Sequence, residues 1–158
     1  MARKQVALAK ISRPRSHDVL SRARLHGVLD KACVRPVVWL SAQPGAGKTT
    51  LVASYLEARK RGGIWYQVDT SDADPASFIY HLRIASDAVG QTPDPLPLLT
   101  PEYLQDLHGF ARRFFRELYL ALGLDTALVL DNFQEVPEDC AFHRIVAEGR
   151  AQDRTSVG

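Results

Sequence analysis

The stretch that most restricts the fold is Ala42-Gln43-Pro44-Gly45-Ala46-Gly47-Lys48-Thr49, because of what stands on either side of it. Pro36 bars any preceding helix from continuing, and Val37-Val38-Trp39-Leu40 is then a continuous apolar run. Such runs suit strands buried on both faces of a parallel sheet. After the loop, Lys48 to Arg59 reads as a helix with Leu51, Val52, Tyr55 and Leu56 on one side. A buried strand, a Gly-rich turn and an amphipathic helix in succession form the opening of a strand–helix–strand unit, whose crossover is right-handed.

The rest of the chain continues the alternation. Ser16 to Ala32 reads as a first helix, with Ser16 able to cap it. Arg61-Gly62-Gly63 turns the chain into a second strand, Ile64 to Asp69. Asp74-Pro75 starts a helix, since Asp caps and Pro fits the first helical position, and Phe78, Ile79, Leu82, Ala85 and Val89 trace its apolar face. Gly90 to Pro101 holds four of the nine prolines and reads as a surface connection. Thr100-Pro101 opens another helix, whose stripe runs from Leu104 to Leu122 before Gly123 stops it. Thr126 to Leu130 is a third buried strand, ending at Asp131, and a last helix covers Glu138 to Arg150. Strands alternating with helices predict a layered α/β domain with a mostly parallel sheet and helices on both faces.

Composition agrees with one domain. The chain has 158 residues, 46% hydrophobic and 24% charged, as in globular proteins. No apolar run approaches the roughly 20 residues needed to cross a bilayer. Two cysteines far apart, Cys33 and Cys140, give no disulfide framework and no zinc site, so a reduced cytoplasmic setting is expected. Residues 1–35 carry nine Lys or Arg against Asp18 and Asp30, a net +7, while the remainder is net −5. A basic arm of this kind can contact nucleic acid, but no base-reading motif accompanies it, and a solvated terminus is the simpler reading. The expected layout is a basic arm over 1–15, a domain over 16–150 and a polar tail over 151–158.

The loop carries the chemistry. Ala42 to Thr49 matches the phosphate-binding pattern G-x-x-x-x-G-K-[ST], with Ala42 in place of the first glycine. Gly45 and Gly47 allow consecutive N–H groups to turn inward around phosphates, and the helix beginning near Lys48 adds the positive end of its dipole. Lys48 is expected on the β/γ-phosphates and the Thr49 hydroxyl on Mg²⁺, with Gln43, Pro44, Ala46 and Thr50 completing the cradle. A bland Gly-rich turn would leave Lys48-Thr49 unexplained. Ala127-Leu128-Val129-Leu130-Asp131 reads as a Walker B strand, whose acid would help to hold Mg²⁺. Asn132 follows where many P-loop ATPases place a second acid. A neutral amide is no general base, and losing one typically costs ~10²–10⁴-fold in rate. Glu135 reads as a solvated carboxylate at a helix start.

Other groups read as structural. The five histidines (His17, His26, His81, His108 and His143) show no metal-ligand spacing. Trp39, Trp65 and Tyr66 are expected in the core. Asp69, Asp72 and Asp74 lack the glycine and the glutamate of a calcium loop, and are expected at a strand end and at caps.

Taken together, the chain resembles the N-terminal ATPase module of large ATP-dependent bacterial transcriptional regulators, STAND-class P-loop NTPases typified by the maltose-regulon activator. The resemblance rests on Lys10-Ile11-Ser12-Arg13-Pro14, Arg22-Ala23-Arg24-Leu25, Gln43 to Thr50, Trp65-Tyr66-Gln67-Val68-Asp69 with Asp72, Asp74-Pro75 and Phe78, and Leu128 to Val136. It implies a P-loop NTPase-like, AAA ATPase-like three-layer sandwich that binds ATP and Mg²⁺ as a regulatory switch, here with weak or no hydrolysis. It also implies further strands, a sensor arginine and DNA-reading parts that have no counterpart in these motifs. A truncated member with an incomplete sheet is therefore expected, for which direct DNA binding is not. In that family a later strand lies between the P-loop strand and the Walker B strand. Without it those two strands must pair directly or leave a position unfilled. The expected partners are nucleotide and the remainder of a regulator, or a second copy joined at open sheet edges. Two other functions fit parts of the sequence. A small P-loop phosphotransferase would use Arg112, Arg113 and Arg116 as lid cations, although they read as the solvated side of a helix. A non-catalytic relic or interaction module would bind no nucleotide.

Overall fold

The computed structural model describes residues 9–14, 22–89, 94–123 and 125–152. The helices among them are α1 (Ala23–Ala32), α2 (Lys48–Ala58), α3 (Pro75–Val89), α4 (Leu107–Leu122) and α5 (Ala141–Ala151). The strands are β1 (Gly63–Gln67) and β2 (Ala127–Asp131), paired in parallel with Gly63 opposite Ala127 and Gln67 opposite Asp131. Ser16 to Ser21, the first part of the predicted first helix, lies outside the described residues.

Period-two alternation sends the strand side chains to opposite faces. Ile64 and Tyr66 of β1, with Leu128 and Leu130 of β2, join an apolar cluster with Phe78, Ile79 and Leu82 of α3, Phe114 and Leu118 of α4, and Phe142 and Ile145 of α5. Trp65, with Ala127 and Val129, joins a smaller cluster with Leu29 of α1 and Ala53, Tyr55 and Leu56 of α2. Helices therefore cover both faces of the sheet, which makes this an α/β chain. The first face is the firmer one. Tyr66 packs edge-on to Phe78, and Phe78 to Phe142, with ring centroids 5.3 and 4.8 Å apart. Each ring fully buried there contributes about 1.5–3 kcal/mol.

The helix ends follow local chemistry. Asp74 accepts from Ser77 N at 3.0 Å at the start of α3, as its position predicts. The helix expected from Thr100-Pro101 begins instead as a 3₁₀ turn over Pro101–Asp106, and Asp106 then caps α4 by accepting from Gly109 N at 2.9 Å. The last helix starts at Ala141, later than expected, because Pro137 O first accepts from Cys140 N in a turn.

One expected strand is not formed. Val37 to Leu40 runs as irregular chain, with Val37, Trp39 and Leu40 exposed, Trp39 by 62%. Trp39 is thus not a core residue, unlike Trp65 and Tyr66, which are buried as expected. The physical reason lies at β2. The run and the outer edge of β2 line a common cleft of about 930 Å³ and do not meet to exchange ladder hydrogen bonds. Of the two outcomes open for an incomplete sheet, the position is left unfilled. Trp39 is held only at its rim, edge-on to Phe133 at 5.0 Å.

A second departure strengthens the structure. Lys10, counted in the sequence with the solvated arm, is 5% exposed. Its Nζ lies 2.9 Å from Asp69 Oδ2 and 2.9 Å from Asp72 Oδ2, and donates to Ser71 Oγ at 3.1 Å. Asp72 is fully buried and also accepts from Tyr66 Oη at 2.7 Å and from Asp69 N at 2.9 Å. Burial alone would raise the Asp69 carboxyl, but the Ser71 hydroxyl and Lys10 hold it below its ordinary range. Asp69 and Asp74 do cap the turns they precede, while Asp72 has the further task of receiving Lys10. Arg13 follows this clip and donates to Ala53 O of α2 at 2.6 Å. The N-terminal segment thus ties the β1–α3 turn to α2, the helix that carries the loop.

Candidate functional site

The loop from Ala42 to Gly47 enters α2 by way of two glycines in the left-handed region, Gly45 at φ 79° and Gly47 at φ 78°. Only glycine adopts this conformation without strain, so both are required by the turn as well as by the expected chemistry. Ala46 N donates to Gln43 O at 3.2 Å, which closes the turn around Pro44 and Gly45. Lys48 curls back, its Nζ donating to Ala42 O at 2.8 Å and to Gln43 O at 3.3 Å. Ala42 takes part through its carbonyl alone, so replacing the motif's first glycine leaves this contact intact. Thr50 sits in the first turn of α2 and is half-buried.

The scaffold beneath the loop is α1 against α2. His26 Nε2 lies 3.1 Å from Ser54 Oγ, which itself donates to Leu51 O at 3.0 Å. Asp30 receives Arg59 through both oxygens, at 2.9 and 2.6 Å, and Tyr55 Oη at 3.1 Å. The hydrogen bonds from Arg59 pull the Asp30 carboxyl down to about 2. Burial, together with Cys33 and Asp30, pushes the Tyr55 phenol up to about 12.

The acid at the end of β2 meets the loop. Thr49 Oγ1 donates to Asp131 Oδ2 at 2.9 Å, across 82 residues of chain. The other oxygen, Oδ1, accepts from Asn132 N at 3.0 Å. A hydroxyl and a carboxylate now converge beside a loop that carries an ammonium group. Hydroxyl and carboxylate oxygens are the hard donors that Mg²⁺ takes, and it usually keeps several waters as well.

Asn132 has a backbone role that the sequence reading did not include. Its φ is 59°, left-handed, and it starts the 3₁₀ turn Phe133–Glu135. Asn is one of the few residues apart from glycine that visit this region routinely. Glu135 is exposed, as expected, but stands at the end of that turn and not at a helix start. Arg112, Arg113 and Arg116 lie on the outer side of α4 and line a separate shallow depression with Gly109 and Gln152. None of the three lines the cleft that holds Lys48, Thr49 and Asp131. One residue absent from the expected site also touches the loop: Arg22 Nη1 donates to Ala46 O at 3.3 Å. Its position ahead of α1 gives no sequence signal for this contact, which spans 24 residues.

No family model matches the chain, and no solved structure does. Among curated proteins, the HTH-type transcriptional regulator MalT of Vibrio cholerae is 28% identical over 134 residues, 83% of this chain and 15% of that protein. MalT regulators of Vibrio campbellii and Vibrio parahaemolyticus are each 35% identical over 75 residues, 47% of this chain and 8% of theirs. The chain therefore spans less than a sixth of the length of these relatives, and over that span it is similar in sequence to MalT-type transcriptional regulators.

Proposed function

We propose that this chain is an ATP- and Mg²⁺-binding signalling module of a transcriptional regulator, with weak or no hydrolysis. The observation that carries the reading is the 2.9 Å contact between Thr49 and Asp131. Two residues 82 positions apart, each singled out by its own motif, meet where the first turn of α2 faces the end of β2, although the apolar run ahead of the loop forms no strand. The residues present fit the ligand. Open space surrounds the position a Cβ would take at Gly45, so a phosphate can approach the backbone there. The N-terminus of α2 follows directly, and its free N–H groups favour an anion. Lys48, now satisfied only by carbonyl oxygens of its own loop, gains a stronger, charge-assisted partner when a phosphate replaces them. Thr49 and Asp131 would hold Mg²⁺, which neutralises phosphate charge when bound.

The reading of weak hydrolysis rests on Asn132. Its exposed amide accepts no proton at working pH, and Glu135 stands exposed at the end of the 3₁₀ turn that follows. The similarity to MalT regulators supports the placement in transcriptional control. A phosphotransferase is the weaker reading, because Arg112, Arg113 and Arg116 do not share a cleft with the loop.

The test is thermal unfolding with and without MgATP, with Lys48→Ala as control. Nucleotide at 100 times its dissociation constant should stabilise the chain by ~2.7 kcal/mol. Lys48→Ala should abolish that gain. A cooperative transition that MgATP leaves in place would overturn the proposal.

A further inference from the structure

We infer that Arg22 is a second cation of the phosphate loop, holding a polyphosphate from the side of Gly47. The inference deepens the nucleotide-binding reading and rests on it. Arg22 occupies the N-cap position of α1, with φ −96° and ψ 48°, and makes no side-chain cap. A cap requires an acceptor, and a guanidinium has donors only. The residue is thus a poor choice for starting the helix, and its side chain is spent elsewhere. It reaches the loop, where Nη1 donates to Ala46 O at 3.3 Å.

The same guanidinium fills the space beside Gly47. A Cβ built there would lie 2.9 Å from Nη2 and 3.2 Å from Nη1. Gly47 is therefore needed twice, for its left-handed φ of 78° and for the close approach of Arg22. Arg59 is paired with Asp30 and Arg113 with Glu117, whereas Arg22 has no carboxylate partner among the described residues. Arg22 and Lys48 both rest on loop carbonyls, at Ala46, and at Ala42 and Gln43. Two cations on one short loop, with carbonyl oxygens as partners, form a donor set that an anion completes. The planar fork of Arg suits phosphate oxygens, and donors beyond the one on Ala46 remain for it.

The alternative is a brace that only shapes the loop, and the two differ in what they move. Binding of MgATP and of inorganic tripolyphosphate is measured by calorimetry for the wild type, Arg22→Gln, Arg22→Lys and Arg24→Gln, with the ligand-free melting temperature of each. Arg24 is exposed and serves as the charge control. Arg22→Gln should weaken both ligands by ~10-fold or more, the loss of one charge-assisted bond, without lowering the ligand-free melting temperature. Arg22→Lys should recover part of the loss, and Arg24→Gln should match the wild type. Unchanged affinity in Arg22→Gln overturns the inference while leaving the nucleotide reading intact. So does weakened ATP binding with tripolyphosphate unaffected, which would put Arg22 on the nucleoside, and so does a loss matched by a lower ligand-free melting temperature. A wild type that binds neither ligand overturns the nucleotide reading itself, and this inference with it.

Discussion

Asn132 shows how one side chain can answer to the backbone before it answers to chemistry. Left-handed φ costs most residues about 1–2 kcal/mol, and Asn less. Replacing it with Glu, to restore an acid beside Asp131, should therefore destabilise the chain by about 1 kcal/mol in urea unfolding, while Asn132→Gly should not. Lys10 is the opposite case, a charge whose partner is everything. Lys10→Ala leaves Asp72 fully buried with no cation, which should cost about 3 kcal/mol in the same measurement. At this scale the sequence was informative wherever the partner is local. The cap at Asp74 and the glycines of the loop follow from short patterns, and Thr49 and Asp131 were each marked by a motif, whereas the cap at Asp106 falls inside a helix expected to begin at Thr100-Pro101. Lys10 and Arg22 stand in segments that carry the resemblance, but no local pattern names their partners. Lys10 finds Ser71 61 residues away and Arg22 finds Ala46 24 residues away, and single-sequence patterns hold no record of either contact.

Between elements, the contact of α4 with α5 is set by a glycine. A Cβ at Gly149 would come within 2.8 Å of the Phe115 ring, and Tyr119 Oη donates to Gly149 O at 2.9 Å. Glycine inside a helix usually costs up to about 1 kcal/mol relative to Ala. Here overpacking of about 1–3 kcal/mol outweighs that gain, so Gly149→Ala should lower stability in urea unfolding. The tie between α1 and α2 should be visible in pH. Asp30 sits at about 2 in the folded chain, below its ordinary 3.8. A depressed carboxyl contributes stability above its unfolded value, and that contribution is lost as pH falls through the folded one. Asp30→Asn should therefore flatten the acid limb of the stability profile between about pH 4 and 2. The effect should be small and reduced by salt, because the pair is exposed. Helices were legible because their apolar stripes and caps lie within one segment. Val37 to Leu40 was expected as a strand and forms none, since an apolar run records a preference for burial and not whether a neighbour is there to bury it.

For the molecule as a whole, the two faces of the sheet are unequal. The side covered by α3, α4 and α5 is a packed aromatic core, whereas the cleft beside β2 leaves Val37, Trp39 and Leu40 in contact with solvent. Because alternate residues of a strand direct their backbone groups to the same side, and Ala127 N and Asp131 O bond to the β1 side, Leu128 and Leu130 turn theirs toward the cleft. An apolar surface beside unpaired strand backbone invites association. The native chain should enhance the fluorescence of an anilinonaphthalene dye, and Trp39→Lys should reduce that enhancement without lowering the melting temperature. The α/β class and the helices on both faces were legible in the order of elements. The open cleft was legible only as one of two alternatives, because which strands pair depends on a sheet position that no local pattern describes. Among the described residues no helix is long and apolar enough to cross a membrane.

The proposed function requires the loop to take up phosphate although the sheet is open at β2. It is tested most directly by following the backbone amide resonances of Gly45, Ala46, Gly47 and Lys48 as MgATP is added. Saturable shifts are expected at these four amides, with Asn132 moving as the Thr49–Asp131 contact accommodates Mg²⁺, and none of them in Lys48→Ala. Loop amides that stay in place while others move, or that respond alike in Lys48→Ala, would contradict it.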